Sequence, residues 1–220
     1  EKLKSKANAF VLIEKKITIE NDDFEASFRY STSSGMCVLH NSKSFILTAG
    51  HVCDVDNKQR DIAAAAFADV ASIELDKKTK IGVRFEATML DGKKANIRIT
   101  RFVNNNVDLC VLEFVGENQC DNYVRLAASV PDELSNAHVY SAPLGIFYKG
   151  TIILLDGRYI GYGPDEKMVF TLPATHGSSG SAVLDDNSDV ISVLESTIKE
   201  FNHVALGSNF DKLKAYIEDK

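Results

Sequence analysis

The sequence predicts an all-β fold, a barrel or sandwich, with one short α-helix at its C-terminal end. Three observations predict it. Short apolar or alternating runs recur along most of the chain, turn signals separate them at regular spacing, and the clearest amphipathic helix is the last segment, residues 211–218. The chain of 220 residues is 45% hydrophobic, which suits one sizeable domain or two small subdomains around one site.

The elements follow in order. Residues 1–6 are lysine-rich without an apolar face and read as a loose lead-in. Residues 44–48, SFILT, form a short strand that enters Ala49-Gly50-His51. Residues 61–71 are alanine-rich, a second helical candidate without a clean face. Residues 82–90 and 95–102 are extended runs about Asp91-Gly92, a hairpin signal. In the second run Ile97 and Ile99 alternate with Arg98 and Thr100, the two-residue period of a half-buried strand. Asn104-Asn105-Asn106 interrupts, and residues 107–115, VDLCVLEFV, resume as a strand. Residues 140–150 are turn-rich. Residues 151–155 and 158–162 read as two strands around Asp156-Gly157, and residues 167–172 as a further one. Residues 182–184 and 190–194 flank the turn Asp185-Asp186-Asn187-Ser188. Leu213 and Ile217, four apart, give the last helix its apolar edge, with Asn209 or Asp211 to cap it. A boundary near residues 116–130 divides the chain into residues 1–120 and 121–220.

Composition excludes several classes. No apolar run approaches the roughly 20 residues that span a membrane. The net charge is −6 and basic residues do not cluster, which argues against a nucleic-acid partner. Cys37, Cys53, Cys110 and Cys120 lack close metal-type spacing, so zinc is disfavoured and no cofactor or metal is expected. The four read first as small buried residues in a reducing compartment, with three disulfide pairings open. No signal peptide is visible, which tips the expectation toward an intracellular protein.

Three local patterns carry chemistry. LTAGH is a strand ending in small residues and then His51. VDL places Asp108 at the start of an apolar strand. THGSSGS crowds Ser178, Ser179 and Ser181 among Gly177 and Gly180. Taken singly, these are a capping histidine, a turn aspartate and a loop. Together, in this order, they supply a base, a group to orient it and a hydroxyl nucleophile.

LTAGH, VDLCVLEF and GSSGSAV resemble the three motif blocks of the chymotrypsin-like (trypsin-fold) serine proteases. Between the blocks, FEATMLDGKKANIRITRFVNNNVDLCVLEF is similar to the hairpin-then-aspartate segment of high-temperature-requirement proteases and related bacterial and viral members. SAVLDDNSDVISVLES and VALGSNFDKLKAYIE resemble the segments that follow the nucleophile. The likeness covers most of residues 33–218, at motif level. It implies two antiparallel six-stranded β-barrels with the site between them, His51 and Asp108 on the first and Ser179 on the second.

The function implied is a serine endopeptidase acting on protein or peptide substrates through His51, Asp108 and Ser179, without a cofactor. Ser179 takes the nucleophile's place in Gly-x-Ser-Gly, and the N–H groups of Gly177 and Ser179 form the oxyanion hole. Ser178 stands where zymogen-activated members carry an aspartate, so activation by N-terminal insertion is not expected. The likeness also suggests a Cys37–Cys53 bridge beside the histidine, in imperfect register, and offers no counterpart for Cys110 or Cys120. The specificity pocket is expected from Pro173, Ala174, Thr175, His176, Leu194, Glu195, Ser196 and Thr197. With Pro173 and Leu194 where charge-selecting relatives place their determinants, an apolar or small residue before the cut is expected. An inward Glu195 would instead favour a basic one. His176 is left between cleft and solvent. Two other readings stand beside this one: an inactive protease-like binding module, and a viral polyprotein or capsid processing protease.

Overall fold

The computed structural model describes residues 2–104 and 107–219. Twelve strands form two closed antiparallel barrels. The first contains β1 (Phe10–Glu20), β2 (Glu25–His40), β3 (Lys43–Ala49), β4 (Lys80–Met89), β5 (Lys94–Val103) and β6 (Leu109–Phe114), in spatial order β1-β2-β3-β6-β5-β4. The second contains β7 (Asn136–Ser141), β8 (Ile153–Tyr162), β9 (Met168–Phe170), β10 (Ala182–Leu184), β11 (Val190–Ile198) and β12 (Phe201–Gly207), in the order β10-β11-β12-β9-β8-β7. Closure leaves neither sheet with a free edge to template further pairing. The segment between the barrels is anchored to both: Val124 bridges to Val38 of β2, and Leu126 to Val190 of β11.

Four helices complete the fold: α1 (Lys2–Lys6), α2 (Gly50–Cys53), α3 (Asn57–Ala71) and α4 (Phe210–Glu218). α4 follows the last strand of the second barrel and packs across both barrels, with Phe210 in the second barrel's apolar cluster. Leu213, Tyr216 and Ile217 join the buried cluster of Phe10, Ile46, Leu47 and Leu112. The Tyr216 hydroxyl donates to the Arg101 carbonyl at 2.9 Å, and the Arg101 guanidinium lies 3.9 Å from the Tyr216 ring centroid. The Asn209 side chain caps α4 by accepting from the Lys212 N–H. The alanine-rich helix begins one turn before the predicted start, where the Asp56 side chain accepts from the Gln59 N–H. Its missing apolar face has a simple cause. It meets β1 through Ala64, which packs with Ile17 and Ile19, and β2 through Phe67, which stacks on Phe28 at 4.4 Å.

Several expectations need correction. Residues 151–155 and 158–162 are not two strands, because β8 runs straight through Asp156-Gly157. Gly157 is there for close approach: a Cβ would meet the Thr171 carbonyl oxygen at 2.3 Å. The lead-in is a helix, tied by Lys6 Nζ to the Tyr123 carbonyl at 2.7 Å and by the Tyr140 hydroxyl to the Leu3 carbonyl. Of the Asn104-Asn105-Asn106 interruption, Asn105 and Asn106 lie outside the described residues.

The cysteines are neither free nor paired as Cys37–Cys53. They form Cys37–Cys120 and Cys53–Cys110. Cys37 on β2 faces the inter-barrel segment, whose Val124 N–H donates to the Cys37 carbonyl. Cys53 on α2 lies over β6, because α2 continues from β3 and β3 pairs with β6 at Thr48 and Cys110. In the chain-entropy picture, bridges closing loops of this length contribute about 4 kcal/mol each.

Leu213→Ala tests the coupling of α4 to the first barrel. Leu213 is fully buried, and its truncation is expected to cost about 2–5 kcal/mol, read as a lower urea midpoint.

Candidate active site

The site lies where the two barrels meet. β3 ends at Ala49, the chain turns into α2, and His51 falls in its single turn, with its side chain 40% exposed. Asp108 stands just before β6 with φ of +39°, a left-handed conformation that aspartate tolerates better than most residues. That conformation presents both carboxylate oxygens to one partner. Oδ1 accepts from the His51 backbone N–H at 2.7 Å, and Oδ2 lies 2.8 Å from His51 Nδ1. A carboxylate only accepts, so Nδ1 carries the proton and Nε2 is left as the basic nitrogen. The Cys53–Cys110 bridge joins the residues two beyond His51 and two beyond Asp108. Covalent and hydrogen-bonded links thus run side by side.

Ser179 lies across a cavity of about 380 Å³ whose lining includes His51, His176, Gly177 and Ser179. Among the described residues the Ser179 hydroxyl makes no hydrogen bond to the His51 ring, a contact that in unliganded sites of this chemistry often tightens only with substrate. Gly177 has φ of +91°, and a Cβ there would meet the Ala142 carbonyl oxygen at 2.4 Å. The His176 carbonyl accepts from the Leu144 N–H at 2.6 Å. Because the peptide is trans, the Gly177 N–H points the opposite way, away from the Leu144 turn. Ser178 is buried and bonds locally, its hydroxyl accepting from the Thr175 N–H at 3.3 Å.

Ser34 of β2 was not singled out from the sequence, yet it holds this loop. It is fully buried, and its hydroxyl donates to the Gly177 carbonyl at 2.8 Å and accepts from the Ala142 N–H at 3.0 Å. Its own N–H donates to the Ser179 carbonyl at 3.0 Å, and its carbonyl accepts from the buried Thr48 hydroxyl at 2.8 Å. No sequence signal marks it, since Ser33-Ser34-Gly35 reads like any small-residue stretch.

The residues expected at the pocket lie in two segments, 173–176 and 194–197. His176 is exposed and lines the cavity beside Ser179, so it belongs to both cleft and solvent. Pro173, Ala174, Thr175, Leu194, Glu195, Ser196 and Thr197 do not line that cavity. Ala174 is buried and its N–H donates to the Asn202 carbonyl. Leu194 is buried, exchanging backbone bonds with Gly180 and Ser181. Ser196 is exposed, and Pro173, Thr175 and Thr197 are half-buried.

Glu195 does turn inward. It is skipped in the β11–β12 register, where Leu194 pairs with Gly207 and Ser196 with Leu206. Such bulges re-aim a side chain. Its carboxylate meets Lys167 of the same chain at 2.8 Å, so its charge is answered internally. Burial raises its pKa to about 7, against the pull of Lys167 and with a further push from Asp108. No cluster of His, Cys, Asp or Glu among the described residues could hold a metal ion.

Two six-stranded barrels with a His–Asp pair facing a glycine-flanked serine define the trypsin-fold class. Residues 34–193 match the trypsin-like peptidase domain family, and the chain belongs to that family of serine proteases. Among solved structures it is similar to Rv3671c from M. tuberculosis H37Rv, seen as the inactive form of a serine-to-alanine mutant. The identity is 12% and the TM-score 0.63, over 99% of this chain and 89% of that one. It is also similar to the serine endoprotease from Yersinia pestis, at 14% identity and a TM-score of 0.68. That match covers 99% of this chain and 64% of the Yersinia chain, so this chain spans about two thirds of its length. A search of curated proteins finds no match. Among the described residues no helix is long and apolar enough to cross a membrane.

The buried carboxyl generates a test. Its folded-state pKa is raised from 4.5, so the stability tied to its protonated form is complete below pH 4.5 and lost as pH rises through about 7. Glu195→Gln is expected to flatten the fall in thermal stability across that window, a difference of at most about 3 kcal/mol, measured by thermal unfolding at stepped pH.

Proposed function

We propose that this domain is a serine endopeptidase that cleaves peptide bonds through an acyl-enzyme intermediate. The observation that carries the reading is the single cavity lined by His51, Gly177 and Ser179, with Asp108 gripping His51 from behind. Ser179 Oγ attacks the scissile carbonyl while His51 Nε2 takes its proton. Asp108 keeps Nδ1–H in place and stabilises the imidazolium without being protonated. The Gly177 and Ser179 N–H groups receive the developing oxyanion, each worth on the order of 3 kcal/mol. The tetrahedral intermediate collapses as His51 gives its proton to the leaving amine. Water then attacks the acyl group by the same steps in reverse order of partners.

An inactive binding module is the competing reading. The hydrogen bond from Leu144 to the His176 carbonyl favours activity, because it engages that carbonyl and leaves the Gly177 N–H pointing the other way. Ser34 acts in this scheme as a positioning residue. The two disulfides favour an oxidising compartment over the intracellular setting expected from the sequence.

Incubation with a fluorophosphonate probe is expected to label the folded protein and to leave Ser179→Ala unlabelled. Absence of labelling in the folded wild type would remove the reading. Cleavage of added peptides in trans separates a general endopeptidase from one confined to its own chain. Ser34→Ala orphans the Gly177 carbonyl and the Ala142 N–H and loosens the oxyanion loop. It is expected to lower kcat about 10- to 100-fold while changing KM by less than about threefold, in steady-state kinetics on a peptide substrate.

A further inference from the structure

Lys15 sits in β1 at i+2 from Ile13 and i−2 from Ile17, on the strand's buried register. Both isoleucines are 1% exposed and Lys15 only 9%. A lysine this deep normally has an anion in contact. Its charged strand neighbours are paired with opposite charges: Glu14 with Arg29 and Lys94, and Lys16 with Glu86. Lys15 makes no ion pair among the described residues. Its ammonium donates to the backbone carbonyl of Asp54 at 2.6 Å and lies 5.8 Å from the Phe85 ring centroid. The Asp54 carboxylate itself accepts from Asn104 Nδ2. An ammonium has three donors, and one bond to a carbonyl leaves two unused. Burial accordingly pushes its pKa down, with Asp54 pulling weakly the other way.

Lys15 and His51 are the two residues shared by the cavity that holds Ser179 and by a second cavity of about 300 Å³ toward α3. The second already contains Asp54 and Asp56. The first has no acidic residue in its lining: besides Lys15, His51 and His176 it presents Ser31, Thr32, Ser33, Val52, Leu144, Gly177 and Ser179. An anion entering the first cavity meets an ammonium with no salt bridge among the described residues, and no carboxylate in that cavity's lining.

We infer that Lys15 is a carboxylate-binding residue of the substrate cleft, taking either an acidic side chain near the scissile bond or the free C-terminal carboxylate of a short substrate. This rests on the reading of Ser179 and His51 as the reacting pair, since it makes that cavity the place where substrate lies. A charge-assisted bond of this kind, made where water is largely excluded, discriminates by about tenfold or more against an uncharged isostere.

The test uses two matched peptide sets. One replaces Gln by Glu at each position on both sides of the cut. The other compares free carboxylate with amide at the C-terminus. Binding is read by calorimetry on Ser179→Ala, and turnover on wild type. The expected result is a Glu-over-Gln preference of about tenfold or more at one position, or the same preference for free carboxylate over amide. In Lys15→Met it collapses to within about twofold, and Lys15→Arg restores part of it. The position or set that responds identifies the source of the carboxylate. Equal binding across both sets, or a preference that survives Lys15→Met, overturns the inference. Because the peptide preference measured by calorimetry on Ser179→Ala needs neither a folded Lys15→Met nor turnover, that outcome is independent of fluorophosphonate labelling. A protein that fails to label yet prefers Glu-containing peptides would refute the proposed activity and keep the subsite.

Discussion

A single buried serine joins the two halves of this molecule at the point where their geometry matters. Ser34 belongs to β2 of the first barrel, and its side chain and N–H bind the loop that carries Gly177 and Ser179 in the second. Every donor and acceptor it owns is used, and none is reached by water. Unpaired, those groups would carry the full cost of desolvation, about 1–3 kcal/mol each. The barrels therefore cannot slide relative to one another near the site without breaking several such bonds at once. α4 adds an apolar clamp, with Phe210 in the second barrel's cluster and Leu213, Tyr216 and Ile217 packed with residues of the first.

The same economy governs the histidine side. Asp108 grips His51 through backbone and ring, and the Cys53–Cys110 bridge holds the two supporting segments together a few ångströms away. Both links span the same 57 residues of chain. A hydrogen bond sets orientation, and a covalent bond limits how far its frame can drift. Glu195 brings a second carboxyl into the electrostatic neighbourhood of Asp108, kept from full ionisation by burial and balanced by Lys167. Lys15 lines the same cavity as His51 and Ser179.

Much of this was legible in local patterns. LTAGH, VDL and GSSGS each announce a strand end or tight loop bearing a reactive side chain. Ile97 and Ile99 betray β5, and Leu213 with Ile217 betray α4, because burial on one face imposes a period that the chain must carry in its sequence. Elsewhere local signals misled. Asp156-Gly157 has the composition of a turn, but Gly157 serves a close strand approach inside β8. The alanine-rich segment shows no clean face because its contacts use Ala64 and one phenylalanine rather than a stripe of large side chains.

Local patterns carry the fold class, most strands, the last helix and the order of His51, Asp108 and Ser179. Those depend on periodicity and on turn chemistry within a few residues. Barrel closure decides which cysteines pair, that Ser34 ties the loop of Gly177 and Ser179, that Glu195 faces Lys167, and that Lys15 lines one cavity with His51. Each of these joins residues far apart in the chain, and nothing in a local window records which strand will lie opposite once the barrels close. The physical reason is barrel closure itself: it fixes neighbours by register across the whole sheet, and a one-residue change of register would exchange every one of those partners.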